Sequence, residues 1–343
     1  MRDVTQALQG RRRPTIRAVA DLAGVSQTTV SFVINDKPGA AISEATRKRV
    51  WQAVEELNYR PNHAARSLSM RRSNLIGFIS DRIASGAYGG QSVLGAQAVA
   101  WEQGRLLLIV DTDADEAVER MAVEHMLSRQ VEGMMIGAST LRAWRPPEVL
   151  GDLPTVLVNC YDPDGRYPSV IPDERGGGYS ATLHLVESGH RRIGLIGGVP
   201  ESEAGTRRRE GHRTALRDAG LDSEAALEVS TTWFPEGGRE GASILLDRAA
   251  PPTALFCLSD WIAMGAFQEV QRRGLRIPDD VAIIGYDDQE FASGLQPTLT
   301  TLAMPHAQIG RRAAELLMSR RGERPPVPET IEIPCPLILR ESA

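Results

Sequence analysis

The sequence predicts an α/β protein: a small all-helical unit followed by a larger body of two lobes, each built on a doubly wound parallel sheet. Two patterns indicate this. Apolar side chains in the first 60 residues recur only at helical spacing, whereas from residue 74 short apolar runs alternate with helical stretches. With 343 residues and 42% hydrophobic content, the chain is long enough for two or three domains that bury cores of their own.

The amino-terminal unit reads as three helices. Thr15 can cap the first, and Gly24 breaks it; Ser26 can cap the second, and Ser43 the third. We expect Pro61 to end the third helix, since the residue before a proline disfavours helical backbone.

A short hinge helix is predicted next, over 64–69, with Asn62 as its cap and a basic linker behind it. Helices of this length are marginal in water, so we expect this one to order only in the presence of a binding partner. The alternative is an ordinary linker in which Leu68 contacts a lobe. The expected domains are 1–61, 62–73 and 74–343.

Seven apolar runs in the body have the length of parallel strands covered on both faces. They are 75–79, 106–110, 133–136, 155–158, 193–196, 254–257 and 281–284. The helical stretches between them supply the crossovers, and ligands are expected at the carboxyl ends of the strands, in the crevice between the lobes.

Charge is distributed unevenly along the chain. Residues 1–72 carry a net charge of +7, whereas the remainder carries −12, within a total of −5. A basic module on an acidic body favours a polyanion partner for the first part, although a solvated basic face has the same composition.

The cysteines and the hydropathy pattern restrict the class of protein further. Cys160, Cys257 and Cys335 are far apart and without a CxxC motif, which argues against a disulfide framework and a zinc site. No apolar run is long enough for a membrane span or a signal peptide. We therefore expect a cytoplasmic protein without a membrane partner.

Residues 20–31 have the pattern of a DNA-binding helix-turn-helix, in which the second helix enters the major groove. Gln27, Thr28 and Thr29 stand at the start of that helix and can bond base edges, while Ser26 and Ser31 can bond phosphate. Taken alone, the pattern also fits a plain helical hairpin.

The same order of segments extends along nearly the whole chain. In the amino-terminal part these segments are 15–31, Val33, Asn35, 56–62 and 64–68. In the body they are 188–194, 208–211, Asp260 with 263–266, 274–281, 285–288 and 297–301. This order resembles the lactose-repressor/galactose-repressor (LacI/GalR) family of bacterial transcription regulators. The resemblance implies a helix-turn-helix domain, a hinge helix and a body like a periplasmic binding protein.

The resemblance also implies a set of DNA contacts: Thr15, Ser26, Gln27, Thr28, Thr29, Ser31, Phe32, Asn35, Asn62, Ala65 and Leu68. Leu68 matches a residue that wedges between base steps in the minor groove, which costs a few kcal/mol of unstacking. Phe32 stands where arginine is common, so the base contacts of this chain differ from the usual pattern.

Effector-binding candidates come from polar and aromatic residues near predicted strand ends, which suit sugar hydroxyls and a pyranose face. They are Asp81, Tyr88, Asn159, Asp173, Arg208, Trp233, Ser259, Asp287 and Gln289. The resemblance implies inducer contacts for Asn159, Arg208, Trp233 and Asp287, and an altered contact at Ser259, where asparagine is common. Asp260 is interpreted as a helix cap.

No catalytic motif, metal site or cofactor is predicted. The sequence lacks GxxxxGK[ST], GxSxG and HExxH, and the paired carboxylates Asp287 and Asp288 have no third ligand nearby.

Together, the helix-turn-helix pattern and the resemblance predict a homodimeric repressor that binds double-stranded operator DNA and a small-molecule effector, which we expect to be a sugar. A dimer is favoured over a tetramer because no heptad tail follows the last predicted strand. A sugar receptor for transport and a sugar-processing enzyme are the alternatives.

Overall fold

The computed structural model describes residues 14–37, 39–60, 73–82, 89–145, 147–200, 202–221, 227–319 and 328–343. Contacts divide the chain into a unit that ends at Ser73 and a body that begins at Asn74. The expected hinge helix over 64–69 and its cap, Asn62, lie outside the described residues.

The amino-terminal unit contains the three expected helices. They are α1 (Ile16–Ala23), α2 (Gln27–Ile34) and α3 (Glu44–Glu56). The hydroxyls of Thr15, Ser26 and Ser43 each accept a hydrogen bond from the backbone N–H three residues later, as N-caps do. Gly24 ends α1 in the left-handed conformation, with φ 65°. The capping residues therefore fix both ends of the helix-turn-helix.

The third helix ends before Pro61, so that prediction was wrong. α3 stops at Glu56, and Asn58 takes a φ of 45°. The backbone N–H of Tyr59 then bonds the carbonyl of Val54 at 2.9 Å, which closes the last turn. Asparagine is one of the few residues that tolerate this conformation, so Asn58 was the signal that mattered.

The body contains two six-stranded sheets. The first joins β1 (Leu75–Ser80), β2 (Leu106–Asp111), β3 (Met134–Ala143), β4 (Thr155–Tyr161), β5 (Ser169–Asp173) and β11 (Thr330–Pro334); the second joins β6 (Ile193–Gly197), β7 (Glu228–Ser230), β8 (Ala254–Cys257), β9 (Ala282–Asp287), β10 (Thr300–Ala303) and β12 (Leu337–Ile338). The strand orders are β11-β5-β4-β3-β1-β2 and β12-β10-β9-β8-β6-β7. The described strands pair in parallel, apart from the antiparallel pair β10–β12.

Helices cover both faces of each sheet. They are α4 (Gly89–Glu102), α5 (Glu116–Ser128), α6 (Glu174–Glu187), α7 (Glu203–Asp218), α8 (Pro235–Leu246), α9 (Asp260–Arg272) and α10 (His306–Ser319). α4, α5 and α10 pack on the first sheet, and α6 to α9 pack on the second. Among the described helices, none is long and apolar enough to cross a bilayer.

All seven predicted strands are present, and the sequence missed β5, β7, β10, β11 and β12. The missed strands are two to five residues long. β7, β11 and β12 lie at sheet edges, where one side faces solvent and a continuous apolar run is not required. β5 ends in Pro172-Asp173, residues that weaken a strand signal.

The chain crosses between the lobes three times. It passes from β5 into α6, from β10 into α10, and from β11 into β12. In each sheet the strand order reverses beside the first strand of its lobe, β1 or β6, which places a crevice at the carboxyl ends of the strands.

Helices α6 and α7 approach each other closely through two glycines. A Cβ added at Gly178 would meet the backbone carbonyl of Arg208, and one added at Gly211 would meet that of Arg175. Any larger residue at either position would push the two helices apart.

We predict that Gly211→Ala lowers the free energy of unfolding by about 1–3 kcal/mol, because the added methyl group overlaps backbone atoms that cannot move independently. Calorimetry or urea unfolding measures this. Gly90→Ala is the control: its Cβ would have nothing within 4 Å. Equal unfolding temperatures for the two variants would contradict the packing argument.

Candidate functional site

The amino-terminal end of α2 presents short polar side chains to solvent. Gln27 and Thr28 are exposed, whereas Thr29 is half-buried, with its hydroxyl 2.9 Å from that of Ser26. Val30 and Val33 are buried in the core of the three helices. This packing keeps the opposite face of α2 on the solvent side, as a groove-reading helix requires.

The other described DNA candidates lie farther along α2, at its carboxyl end and at the start of α1. Asn35 donates a hydrogen bond to the hydroxyl of Ser31 at 3.3 Å, and the Lys37 ammonium lies 4.4 Å from the centroid of the Phe32 ring. The latter is a cation–π distance, so Phe32 brings a positive charge beside α2. Thr15 is exposed as the cap of α1. Asn62, Ala65 and Leu68 lie outside the described residues.

A cavity of about 780 Å³ lies between the two lobes of the body. Its described lining includes Arg82, Ser139, Thr140, Leu141, Arg142, Ala143, Asn159 and Tyr161 from the first lobe, and Glu174, Val199, Ser202, Glu203, Ala204, Arg208, Trp233, Phe234, Ser259, Trp261, Asp287, Met304 and His306 from the second lobe and the crossover into α10. Its size and its mixture of aromatic and polar groups suit a small organic ligand.

Five of the effector candidates line this cavity: Asn159, Arg208, Trp233, Ser259 and Asp287. Asn159 lies within β4 with φ 56°, and its amide donates to the carbonyl of Ala138 at 2.9 Å. Among the described residues, nothing bonds its buried Oδ1. That oxygen is an acceptor on a cavity-lining residue.

Three other candidates do not line the cavity in the described part of the chain. Asp81 is buried behind the wall, where it accepts a hydrogen bond from the backbone N–H of Ser139 at 2.7 Å. Asp173 caps α6 through Gly176. Gln289 lies beyond the strand end, its backbone N–H bonded to Asp260. The fourth, Tyr88, lies outside the described residues.

Arg208 lies in the second turn of α7, with its side chain buried at one end of the cavity. Its guanidinium donates to both oxygens of Glu174, at 2.6 and 3.0 Å, and to the carbonyl of Leu258 at 2.5 Å. Asp287 Oδ1 lies 3.6 Å from Nη1, and the Tyr286 ring centroid lies 3.6 Å from Cζ. Burial alone would lower the pKa of Arg208, but the carboxylates of Glu174 and Asp287 raise it above its ordinary value.

Sequence reasoning missed Glu174 and His306. Glu174 follows Asp173 directly at the start of a helix, and residue type did not separate the two because capping and ligand contact favour the same residue types. His306 opens α10 and is buried, which lowers its pKa to about 4 and keeps the ring neutral at pH 7. Its place after a strand was the available signal.

Asp260 is not a helix cap, so that interpretation was wrong. Ser259 caps α9 by accepting from the N–H of Ile262 at 3.1 Å, while Asp260 is its first helical residue. The Asp260 carboxyl accepts from Thr301 Oγ1 and from the N–H of Gln289, each at 2.6 Å. Burial, and then the neighbouring Asp287 charge, raise its pKa to about 8. Asp260 therefore ties α9 to the ends of β9 and β10.

The neighbouring carboxylates of Asp287 and Asp288 are held by different arginines. Arg340 donates to Asp288 Oδ1 at 2.6 Å, whereas Asp287 lies beside Arg208. Within the described residues, no three His, Cys, Asp or Glu side chains cluster as metal ligands do.

A helix-turn-helix unit joined to a two-lobed body with an inter-lobe cavity defines a DNA-binding transcription regulator with an effector-binding domain. Residues 15–62 match the model of bacterial regulatory proteins of the lacI family, and residues 182–343 match that of the periplasmic binding protein-like domain. The chain belongs to the LacI family.

Two relatives illustrate the similarity in sequence. The HTH-type transcriptional repressor PurR of Aliivibrio salmonicida is 35% identical over 89% of this chain and 92% of its own. The ribose operon repressor of Haemophilus influenzae is 33% identical over 96% of this chain and 98% of its own. Both alignments extend over most of the chain.

Solved structures show the same fold. The lac repressor dimer bound to operator and the anti-inducer ONPF superposes with a TM-score of 0.80 at 27% identity, covering 96% of this chain and 99% of that chain. A complex of the transcriptional regulator CelR with cellobiose gives a TM-score of 0.67 at 30% identity, covering 96% and 100%. The two-lobed architecture of this chain is therefore that of known LacI-family regulators.

We predict that Glu174→Ala lowers the free energy of unfolding of the body by about 3–5 kcal/mol, because it leaves the buried Arg208 charge without its main partner. Urea unfolding measures the loss. Glu210→Ala removes the exposed pair with Arg175 and should cost less than about 1 kcal/mol. A similar small cost for both variants would show that the buried pair is not a stabilising constraint.

Proposed function

We propose that the protein is a homodimeric repressor of the bacterial cytoplasm, controlled by a small carbohydrate bound between its lobes. The observation that carries the effector part of this proposal is the cavity, which combines Arg208, Asp287 and the Oδ1 of Asn159, to which no described residue bonds, with the indole of Trp233. Charged and amide groups suit sugar hydroxyls, and an indole stacks on the apolar face of a pyranose.

Three similar proteins support the choice of a sugar and of a dimer. One solved neighbour is a complex with cellobiose, and another relative is named for a ribose operon. The lac repressor neighbour is a dimer on its operator. Carried over to this chain, these names favour two recognition helices on a near-palindromic operator, with half-sites about one helical turn apart.

The proposed DNA contacts are divided by their chemistry. Gln27, Thr28 and Thr29 read base edges in the major groove, while Ser26 and Ser31 bond phosphates. The proposed supporting residues are Thr15, Phe32, Asn35, Asn62 and Ala65, with Leu68 as the minor-groove wedge.

Control of DNA binding by the effector follows from thermodynamic linkage between the effector site and the DNA-binding site. A ligand that contacts both lobes favours one relative orientation of the lobes, because its affinity for the other orientation is lower. In a dimer, this changes the spacing of the two hinges over 62–73 and the stability of the hinge helices on DNA. A coupling of about 1–3 kcal/mol is typical of such systems.

The test begins with selection of a duplex from a random pool by the full-length protein. Binding to the selected duplex is then measured with and without each sugar of a panel, beside thermal shifts of the same mixtures. Failure to prefer any duplex over genomic competitor would reject the proposal. A sugar that shifts melting and alters duplex affinity supports it.

We predict that Gln27→Ala weakens binding to the selected duplex by about 1–3 kcal/mol, since a side chain bonded to a base edge is lost. Fluorescence anisotropy measures the change, and the unfolding temperature should not move because Gln27 is exposed. Gln52→Ala, an exposed glutamine on α3, should bind as the parent does. Equal affinities for the Gln27 and Gln52 variants would remove Gln27 from the interface.

We predict that Asp287→Asn abolishes the thermal shift given by the bound sugar and leaves duplex affinity in the absence of sugar unchanged. The carboxylate beside Arg208 is replaced by a neutral amide, which is a weaker acceptor for sugar hydroxyls. Asp279→Asn, an exposed residue of the same lobe, serves as the control. An unaltered sugar response in Asp287→Asn would contradict the site assignment.

A further inference from the structure

The two walls of the inter-lobe cavity differ in charge. The first-lobe wall, formed by Arg82, 139–143, Asn159 and Tyr161, carries two guanidinium groups. No carboxylate of the described residues lines that wall. The second-lobe wall carries three carboxylates, those of Glu174, Glu203 and Asp287, with Arg208 as its guanidinium. A ligand between the lobes therefore meets cations on one side and mainly acceptors on the other.

Arg208 has little capacity left for an anionic ligand. Its guanidinium already donates three hydrogen bonds of 3.0 Å or less, two to Glu174 and one to the carbonyl of Leu258. Asp287 lies 3.6 Å from Nη1, so an anion placed there would also meet a like charge. This end of the cavity favours groups that donate hydrogen bonds, such as sugar hydroxyls.

Arg142 on the opposite wall is held much more loosely. Its nitrogens lie 3.3 and 3.4 Å from Asp81 Oδ2, and its side chain is 39% exposed against 8% for Asp81. The carboxylate is therefore the more deeply buried partner, and Arg142 is the residue of the pair that lines the cavity. Asp81 also receives a shorter bond, 2.7 Å, from the backbone of Ser139, which fixes it in place. The third nitrogen, Nη1, donates only a long bond of 3.5 Å to the carbonyl of Ala143. Arg142 is thus anchored by Asp81 and keeps donors for a ligand.

Arg82 adds a second positive charge to the same wall. The carboxylate of Asp113 lies 3.8 Å from Arg82 Nε and belongs to a side chain that is 85% exposed. A pair of this length and exposure is weak in water, so it does not compete strongly with a ligand that contacts both arginines. Planar guanidinium groups bind phosphate and carboxylate oxygens in a bidentate manner.

We propose that the effector is an acidic sugar, whose phosphate or carboxylate group binds Arg142 and Arg82 while its hydroxyls bond Asp287 and Asn159. This inference rests on the proposed function, in which the cavity is the effector site. It specifies the chemical class of the effector and the orientation of the effector across the cavity. The acidic group and the hydroxyl bonded to Asn159 contact the first lobe, whereas the hydroxyl bonded to Asp287 contacts the second, so the ligand joins the two lobes.

The test uses isothermal titration of the full-length protein with matched probes. These are glucose, glucose 6-phosphate and glucuronate, with the corresponding galactose, fructose and ribose compounds, and inorganic phosphate alone. We expect one acidic sugar to bind about tenfold or more tightly than its neutral parent, because hydrogen bonds to charged groups are worth more than neutral ones. Phosphorylated and carboxylated probes distinguish the two sources of the anion.

Two variants test whether the anionic group of the ligand binds the first-lobe wall. Arg142→Gln and Arg82→Gln should each lower the affinity for the acidic sugar about tenfold and leave the affinity for its neutral parent unchanged. Arg145→Gln is the matched control, since Arg145 is an exposed arginine of the same lobe that pairs with Asp164 and is not among the cavity-lining residues. A uniform loss in all three variants would indicate general electrostatics and overturn the assignment.

The outcomes separate this inference from the proposed function. Neutral sugars that bind as tightly as their acidic derivatives, and that alter duplex affinity, would overturn the acidic effector and leave the sugar-controlled regulator intact. Binding of inorganic phosphate alone, without any sugar preference, would also overturn it. If no sugar of either kind binds, both the inference and the proposed effector class fail.

Discussion

The packing of the second lobe depends on the buried ion pair between Glu174 and Arg208. Neither side chain is more than 6% exposed, and an unpaired charge at such depth costs several kcal/mol. The pair therefore requires α6 and α7 to lie close together, which glycines at 178 and 211 allow. Since Tyr286 and Asp287 at the end of β9 contact the same guanidinium, one ion pair links two helices, a strand end and the wall of the cavity.

The sequence predicted most of the fold because the dominant signals are local. Buried parallel strands require continuous apolar runs, and helix caps require Ser, Thr or Gly at defined places, so seven strands and the first three helix starts were predicted. Edge strands such as β7 and β11 bury little and left no comparable signal. A local signal also ended α3 before Pro61, since Asn58 is a residue that tolerates the left-handed conformation.

The site was predicted less completely because its decisive contacts are distant in sequence. Glu174 and Arg208 are 34 residues apart, and Asp81 and Ser139 are 58 apart, so residue type alone does not tell which carboxylate meets a ligand and which one serves a backbone N–H. Asp81 has the same chemistry as Asp287, yet it lies behind the wall while Asp287 forms part of it. Only the packing of strands β1, β3 and β9 separates the two roles.

The three crossings between the lobes have a consequence for biosynthesis. The first lobe has its strands β1 to β5 among residues 75–173, but its helix α10 and edge strand β11 come from residues 306–334. A ribosome that has delivered the first half of the body has therefore produced a sheet whose apolar face, including Phe78 and Val158, still lacks Ile309 and Ala313. Exposed surface of this kind is what binds chaperones or aggregates during synthesis. The first lobe is therefore completed only after residues 306–334 have emerged, and neither lobe can be exchanged between relatives as a single gene fragment.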